Sequence, residues 1–218
     1  MRPDPTILAF DTSAAHCAAA LLMNGQIVAS RYEEMKRGQA ERLMPMLDEV
    51  LAEADKDWNE IDAIGVGIGP GNFTGIRISV STARGLALSL GIKAIGVSSF
   101  DAITYGISTP AIASVEAPRE QVYAQVVNHQ GAEPVLGTIG TIEIEVPARA
   151  EPICVGSGSD EFAKRFAGVV QEPRYPLTEA IAHTAARRME SSRERPSPLY
   201  IRPADAAPPS DPPPKILP

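Results

Sequence analysis

The sequence holds few of the residues from which metal centres and covalent frameworks are built. In 218 residues it has two cysteines, Cys17 and Cys154, and three histidines, His16, His129 and His183. The cysteines are far apart and have no metal-ligand spacing around them, which excludes a disulfide framework and a zinc site as organising features. The histidines are isolated, with no HxxxH or HExxH pair, so metal-dependent catalysis has no recognisable ligand set.

Basic charge and long apolar runs are also scarce. The chain has 20 Lys and Arg against 27 Asp and Glu, a formal net charge of −7. Direct binding of nucleic acid normally needs a basic face, so any contact with nucleic acid is predicted to run through a partner protein. No apolar segment is long enough for a signal peptide or a membrane span, which predicts a cytoplasmic protein without membrane contact. Hydrophobic residues make up 44% of the chain, enough for a real core.

The most informative stretch is residues 61–103. An apolar strand, Ala63–Ile68, carries glycine at every second position, so one of its faces is nearly bare and open to a close neighbour. It ends at the turn Gly69-Pro70-Gly71-Asn72, after which Thr74 is predicted to cap a helix. A second apolar strand, Ile92–Val97, follows. Strand, turn, helix and strand form a crossover unit of a parallel sheet, which indicates an α/β protein.

A meander and a helix are predicted before this stretch. The strands are Ile7–Asp11, His16–Met23 and Gln26–Tyr32, with a hairpin signal at Asn24-Gly25 between the last two. Apolar residues at helical spacing then predict a helix with one apolar stripe. Pro45 lies inside this pattern, so the helix either begins just before Pro45 or bends there. The stripe consists of Leu43, Met46, Leu47, Val50, Leu51 and Ala54.

The second half begins with the same rhythm as the first. Predicted strands Ala111–Glu116 and Gln121–Asn128 resemble the first two strands in length and rhythm, which indicates duplication of one supersecondary unit. An edge strand, Ile139–Val146, and two helices, Asp160–Phe166 and Leu177–Met189, are predicted to follow.

These patterns divide the chain into three parts. We predict an N-terminal lobe of residues 1–106 and a smaller C-terminal lobe of residues 107–202. Residues 203–218 are rich in proline and are predicted to be a disordered tail or an extended clamp rather than a domain.

The glycine turn matches neither of the common phosphate-binding motifs. Ile76 and Arg77 follow Gly75, where a Walker loop needs Lys and then Ser or Thr, and Asn72 stands where a dinucleotide fingerprint needs glycine. The helix N-terminus behind the turn either binds an anion through free amides or is only a tight connection. The GxSxG elbow of serine hydrolases is absent as well.

Asp11, followed by Thr12 and Ser13, ends the first predicted strand. Its carboxylate either orients a metal-bound water near a phosphate or bonds to the backbone of its own turn. The sequence contains no complete active site.

The helix after the glycine turn is rich in small residues that let another element approach closely. Its outer face, together with the apolar stripe, predicts a surface for another protein, and packing on its own sheet is the alternative. Arg77 and Arg84, beside Ser81, either pair with a partner or lie in water. The residues of this predicted partner interface are Leu43, Met46, Leu47, Val50, Arg77, Ser81 and Arg84.

Five segments resemble the TsaB family, which takes part in making threonylcarbamoyladenosine in tRNA. They are ILAFDTS, AERLMPMLDEVL, IGVGIGPGNFTGIRISVSTARGLAL, IKAIGVSSFDAI and PLYIRPADA. The resemblance implies an actin-like ATPase fold (sugar kinase/Hsp70/actin) of two related lobes, each a mixed sheet flanked by helices, with the second lobe reduced. It leaves Asp11, Thr12 and Gly71 as vestigial candidates for cofactor binding.

The same resemblance implies a scaffold. The related catalytic TsaD family binds a metal through an HxxxH motif, whose two ligand positions fall at Ser99 and Ile103 here, and neither residue can replace histidine. We therefore expect a non-catalytic subunit that pairs with and activates a TsaD-like transferase, joined by a TsaE-like ATPase. It is expected to meet tRNA only through that complex and to form a homodimer when the partner is absent. It is expected to need no cofactor by itself, with ATP or ADP bound only in the complex.

Two positions depart from the family pattern. Gln39 stands where members often carry His, and Glu116-Ala117-Pro118-Arg119 stands where they often carry Asp-Ala-Arg. The second lobe also lacks a recognisable adenosine-binding glycine motif. The alternative function is a stand-alone ATPase or phosphotransferase of the actin-like superfamily, or a peptidase-like enzyme, which would need a complete site of its own.

Overall fold

The first sheet combines an antiparallel meander with a parallel crossover. The computed structural model describes residues 4–147 and 151–201. The sheet has the order β3-β2-β1-β4-β5, in which β1, β2 and β3 are antiparallel neighbours and β4 and β5 extend the sheet in parallel from β1. The predicted meander and crossover unit are confirmed. The five strands are β1 (Ile7–Asp11), β2 (His16–Met23), β3 (Gln26–Glu34), β4 (Ala63–Gly67) and β5 (Lys93–Val97).

The second sheet repeats this topology. Its order is β8-β7-β6-β9-β10, again with three antiparallel strands followed by two parallel ones. Because order and direction both match the first sheet, the predicted duplication is confirmed. The strands are β6 (Ala111–Ala117), β7 (Gln121–Val127), β8 (Val135–Gly137), β9 (Ile153–Gly156) and β10 (Val169–Val170).

Helices cover both faces of the first sheet. Alternate residues of β1 point to opposite sides: Leu8 and Phe10 pack under α1 and α2, while Ile7 and Ala9 pack under α5. In the second lobe α4 covers one face, and the described residues between β8 and β9 contain no counterpart of α1, so this lobe is the reduced one. The helices are α1 (Gln39–Glu53), α2 (Phe73–Leu90), α3 (Ser99–Ile103), α4 (Ser159–Phe166) and α5 (Leu177–Arg188).

The last helix, α5, returns to the first lobe. Ile181 and Ala185 are fully buried against its sheet, and a Cβ on Gly65 of β4 would lie 3.0 Å from the Cβ of Ala185. The bare strand face predicted from the alternating glycines is thus confirmed, and α5 fills part of it. Helix α5, which the predicted lobe of residues 107–202 contains, thus packs on the sheet of the first lobe, and the lobe boundaries themselves stay a prediction. The predicted tail, residues 203–218, lies outside the described residues.

Three local predictions need correction or completion. Residues 139–146 form no strand; they turn after β8, and Ile142 packs its side chain on the second sheet without joining it. The cap of α2 is Asn72, whose side-chain oxygen accepts a hydrogen bond from the Gly75 amide at 3.0 Å, and not Thr74. Helix α1 begins at Gln39, so Pro45 lies in its second turn. Within residues 4–147 and 151–201, no helix combines the length and the apolar character that a membrane crossing requires.

Candidate functional site

Asp11 lies at the carboxyl end of β1, two residues before Ser13, and is fully buried. One of its carboxylate oxygens, Oδ1, accepts hydrogen bonds from the Ser13 amide at 3.0 Å and the Ser13 hydroxyl at 2.8 Å, and lies 2.7 Å from Nε2 of His16. The other, Oδ2, has no hydrogen-bond partner among the described residues. It faces Gly67 of β4, where a Cβ would overlap it. Glycine at this position therefore makes room for the carboxylate.

The turn after β1 and the glycine turn before α2 are locked together. The Asn72 amide donates to the Ser13 carbonyl oxygen at 2.6 Å, and the Thr12 hydroxyl donates to the Gly75 carbonyl oxygen at 2.7 Å. A Cβ on Gly71 would overlap the Ser13 carbonyl oxygen, and one on Gly75 would overlap that of Thr12. The structure thus brings the three predicted cofactor-binding candidates, Asp11, Thr12 and Gly71, close together. In this junction of the two turns, however, their neighbourhood is occupied by contacts between the turns themselves.

The cleft between the lobes lies beside this junction and has a volume of about 540 Å³. Ser13 and Gly71 line it from the first lobe, Glu116 and Tyr123 from the second. Glu116 is its one charged side chain among the described residues, although a nucleotide brings several negative charges that need cations or free amides. The described lining of the cleft therefore offers no cationic side chain to the phosphates of ATP or ADP.

The two positions implied as former metal ligands, Ser99 and Ile103, both lie on α3 and line the same cleft. Neither side chain is a ligand of the kind that binds a divalent cation in an HxxxH site. Within the part of the chain that the structure describes, no group of three or more His, Cys, Asp or Glu could hold a metal ion. The residues present do not fit a metal of the TsaD type.

Ser13, His16 and Asp11 share the composition of a hydrolase triad but not its arrangement. In a triad the histidine bridges serine and aspartate and removes the proton from the serine. Here both the Ser13 hydroxyl and His16 Nε2 contact the same Asp11 oxygen. Ser13 therefore has no histidine base, and the peptidase-like alternative gains no support from this arrangement.

The two cysteines are expected to be unreactive in the folded protein. Both are fully buried, and burial raises the pKa of each thiol to about 11, which keeps the reactive thiolate rare near neutral pH. Ellman's reagent is expected to label both thiols in denaturant and neither in buffer. Rapid modification of one thiol in the folded protein would contradict the placement of that residue.

The predicted partner interface separates into buried and exposed residues. Leu43, Met46, Leu47 and Val50 are 1% exposed or less, because the apolar stripe of α1 faces its own sheet. Their side chains face the core of the chain itself rather than a partner, and the interface as a whole stays a prediction. Arg77, Ser81 and Arg84 all lie on the exposed side of α2 and are open to a partner. Their role in an interface stays a prediction.

A shallow groove runs between α1 and α2 on this exposed side, with a volume of about 470 Å³. Ala40 of α1 and Phe73 and Ser81 of α2 line it, and Met44 of α1 is 38% exposed. The sequence prediction missed Met44 and Phe73. A signal was present, because Met44 follows Ala40 and Arg77 follows Phe73 at the helical spacing of four residues.

Arg77 is held in place by two aromatic rings. Its guanidinium carbon lies 3.8 Å from the centre of the Phe73 ring, and its Nε donates to the Tyr200 hydroxyl at 2.9 Å. Phe73 and Tyr200 stack with their centres 4.9 Å apart. Tyr200, near the end of the described residues, thereby helps to hold Arg77 as a fixed cation. Less side-chain conformational entropy is then lost when a partner binds Arg77.

The one basic side chain of α1, Arg42, is in contrast already paired. Arg42 donates to both oxygens of Glu33, at 2.8 and 2.5 Å, and to both oxygens of Glu49, at 2.8 and 2.7 Å. Hydrogen bonds from Arg42 lower the pKa of both carboxyl groups. This fork joins α1 to β3, so the cations that belong to α1 and α2 and have no ion pair among the described residues are Arg77 and Arg84.

The sequence of this chain matches one family model and is similar to several known proteins. A family model described as "TsaD: tRNA N6-adenosine threonylcarbamoyltransferase" matches residues 26–137, about half of the chain. The tRNA threonylcarbamoyladenosine biosynthesis protein TsaB of Haemophilus influenzae is 34% identical over 131 residues, covering 57% of this chain and 55% of that protein. An uncharacterized protein of Mycobacterium tuberculosis is 32% identical over 210 residues, covering 93% of this chain and 94% of that protein. The chain spans about half the length of the curated TsaB relatives that it matches.

Solved structures agree with these matches. YeaZ from Pseudomonas aeruginosa superposes with a TM-score of 0.70 at 27% identity, covering 90% of this chain and 99% of that one. Component A of (R)-2-hydroxyglutaryl-CoA dehydratase from Acidaminococcus fermentans gives a TM-score of 0.51 at 10% identity, covering 86% of this chain and 98% of that one, a likeness of fold alone. The predicted actin-like ATPase fold with a reduced second lobe is confirmed. The chain belongs to the family that this TsaD model describes, and within that family it is similar to the TsaB and YeaZ proteins.

Proposed function

We propose that this protein is a non-catalytic subunit that pairs with a TsaD-type transferase and activates it for threonylcarbamoyladenosine modification of tRNA. The observation that carries the proposal is the chemistry of the interlobe cleft in a TsaB-like chain. The fold of the actin-like ATPases is kept, but the Asp11 turn is locked onto the glycine turn, and Ser99 and Ile103 line the cleft. A subunit with this cleft contributes through its surface rather than through its own chemistry.

The exposed side of α1 and α2 is the proposed contact with the transferase. It combines apolar area, at Met44 and Phe73, with the fixed cation Arg77 and the small residue Ser81. Such a mixture of an apolar centre and an arginine is common where protein interfaces gain most of their affinity.

The proposal has further parts. A TsaE-like ATPase joins the assembly, ATP or ADP binds only there, and tRNA is reached only through the complex, as the net charge of −7 suggests. The assembly works in the cytoplasm. In the absence of the transferase, two copies of the chain pair through the same side of α1 and α2. The stand-alone enzyme alternative is not favoured, because the described cleft has no cationic side chain, the described residues include no metal-binding cluster, and Ser13, His16 and Asp11 are not arranged as a triad.

Ser81→Glu is expected to weaken binding of the TsaD-type protein of the same organism by at least about tenfold, because the larger side chain would fill the contact and its carboxylate would pair with Arg77 and Arg84, the cations proposed to meet the partner. Isothermal calorimetry with the two purified proteins measures the change. Ser89→Glu, at another exposed position of α2, is the matched control and is expected to bind like wild type. Undiminished binding by Ser81→Glu would contradict the surface, and absence of binding by the wild type would contradict the function.

A further inference from the structure

A second groove lies at the far end of α2, away from Phe73 and Ser81. It is bounded by the last turns of α2, by the start of β5 and by residues 192–196, and its volume is about 570 Å³. Residues 192–196 form a fixed wall. Lys93 of β5 donates to the Met189 carbonyl oxygen at 2.8 Å and to that of Ser192 at 3.4 Å, and Pro196 is buried against Gly96.

The floor of this groove is apolar and open. Leu88 is 82% exposed, the highest value among the large exposed hydrophobic side chains of the described residues. One turn earlier on the helix stands Gly85, where a Cβ would meet no atom within 4 Å. Ala87 and Ile92 complete the floor. An apolar side chain from outside would therefore find both a surface and the space to lie on it.

The rim of the groove is basic, in a protein of net charge −7. Arg84, Lys93, Arg193 and Arg195 line it, against the single carboxylate of Glu194. Among the described residues, none of the three arginines has an ion-pair partner. Unpaired arginines around an apolar floor favour a ligand that brings carboxylates together with an apolar side chain.

We propose that this groove binds an acidic segment of a partner protein. An apolar residue of that segment rests on Leu88 and Ile92, and flanking Asp or Glu residues pair with Arg84, Arg193 and Arg195. Nucleic acid fits less well, because the described residues that line the groove include no aromatic ring for base stacking and its floor would contact no phosphate. The proposal does not depend on the Ser81 contact, and Arg84 alone lies at the border of the two surfaces.

A library of short random peptides displayed on phage tests this proposal. Selection on the immobilised wild-type protein, with counter-selection on an Arg193→Glu/Arg195→Glu variant, is expected to enrich peptides in which Asp or Glu flank one large apolar residue. The best peptide, labelled with fluorescein, is expected to bind at least about tenfold more weakly to that variant and to Leu88→Glu. The matched control is Lys36→Glu/Arg37→Glu, which makes the same change of net charge at exposed residues outside the groove and is expected to bind like wild type.

The same variants also test two other ligands for the groove, nucleic acid and a second copy of the chain. Selection without an acidic bias, no selected peptide, or equal weakening by the Lys36→Glu/Arg37→Glu control would overturn the proposal. Binding of labelled tRNA that the Arg193→Glu/Arg195→Glu variant abolishes would assign the groove to nucleic acid, and a dimer broken by the same variant would assign it to a second copy. Pairing of this variant with the TsaD-type protein is expected to stay at the wild-type level, so that failure here and failure of the Ser81 contact are separate results.

Discussion

Leu47→Ala is expected to lower the free energy of unfolding by about 2–5 kcal/mol, because truncation of a buried leucine loses transfer free energy and leaves a cavity. Leu47 is 0% exposed and belongs to the cluster that joins α1 and α2 to Phe10 and Leu21 of the first sheet. Urea unfolding followed by circular dichroism measures the loss as a lower midpoint with an unchanged slope.

The matched control is Met44→Ala on the same helix. Met44 is 38% exposed, so its truncation is expected to change the free energy of unfolding by less than about 1 kcal/mol. Wild-type stability of Leu47→Ala would contradict the placement of the apolar stripe in the core. Because a charged residue at position 47 would unfold the chain, loss of partner binding after such a change says nothing about an interface. Met44 is the position of α1 at which binding can be tested in a folded protein.

The α1 stripe shows what hydrophobic spacing can predict. The spacing of Leu43, Leu47 and Val50 predicts a helix and the apolar face of that helix. It does not say which surface covers the face, because the sheet of the same chain and the helix of a partner require the same pattern. The exposed residues Met44 and Arg77 follow from the same geometry once the buried face is known.

Short sequence patterns predict most of the strands and helices of the first lobe. Strands β1 and β2, the Asn24-Gly25 hairpin and the β4–α2–β5 crossover each have a signal within a few residues, and the structure confirms all of them. The docking of α5 was not predictable in this way, because it depends on the fit between Ala185 and Gly65, which are far apart in the chain. Residues 139–146 alternate like a strand, yet they pack on the sheet through Ile142 without pairing, a choice made by the tertiary context.

The sequence predicts which residues form the candidate site, but it does not predict the contacts that these residues make with one another. Asp11 after a strand and Gly71 in a glycine turn are visible in the sequence as possible cofactor ligands. Their mutual locking depends on the approach of Asn72 to Ser13 across a long stretch of chain. Alternating glycines predict a bare face on β4, and only the structure shows that the Asp11 carboxylate occupies it at Gly67.

Gly75→Ala is expected to destabilise the protein by about 1–3 kcal/mol or more, although alanine is the better helix former. A Cβ at this position would overlap the Thr12 carbonyl oxygen and lie 3.0 Å from the carbonyl carbon. Neither atom can move away easily, because two hydrogen bonds hold this turn against α2. The Thr12 hydroxyl donates to the Gly75 carbonyl oxygen at 2.7 Å, and the Asn72 amide donates to the Ser13 carbonyl oxygen at 2.6 Å. Urea unfolding of the variant beside wild type measures the loss.

Gly85→Ala on the same helix is the control that isolates this contact. No atom lies within 4 Å of the added Cβ, so the change is expected to stabilise the protein by about 0.5–1 kcal/mol through helix propensity alone. A loss of stability for Gly75→Ala beside a gain for Gly85→Ala would assign the loss to the locked junction, since alanine favours the helix over glycine at both positions. A Gly75→Ala protein as stable as Gly85→Ala would show that the junction opens at little cost, and the cleft beside it would then have to be reconsidered as a site for phosphates.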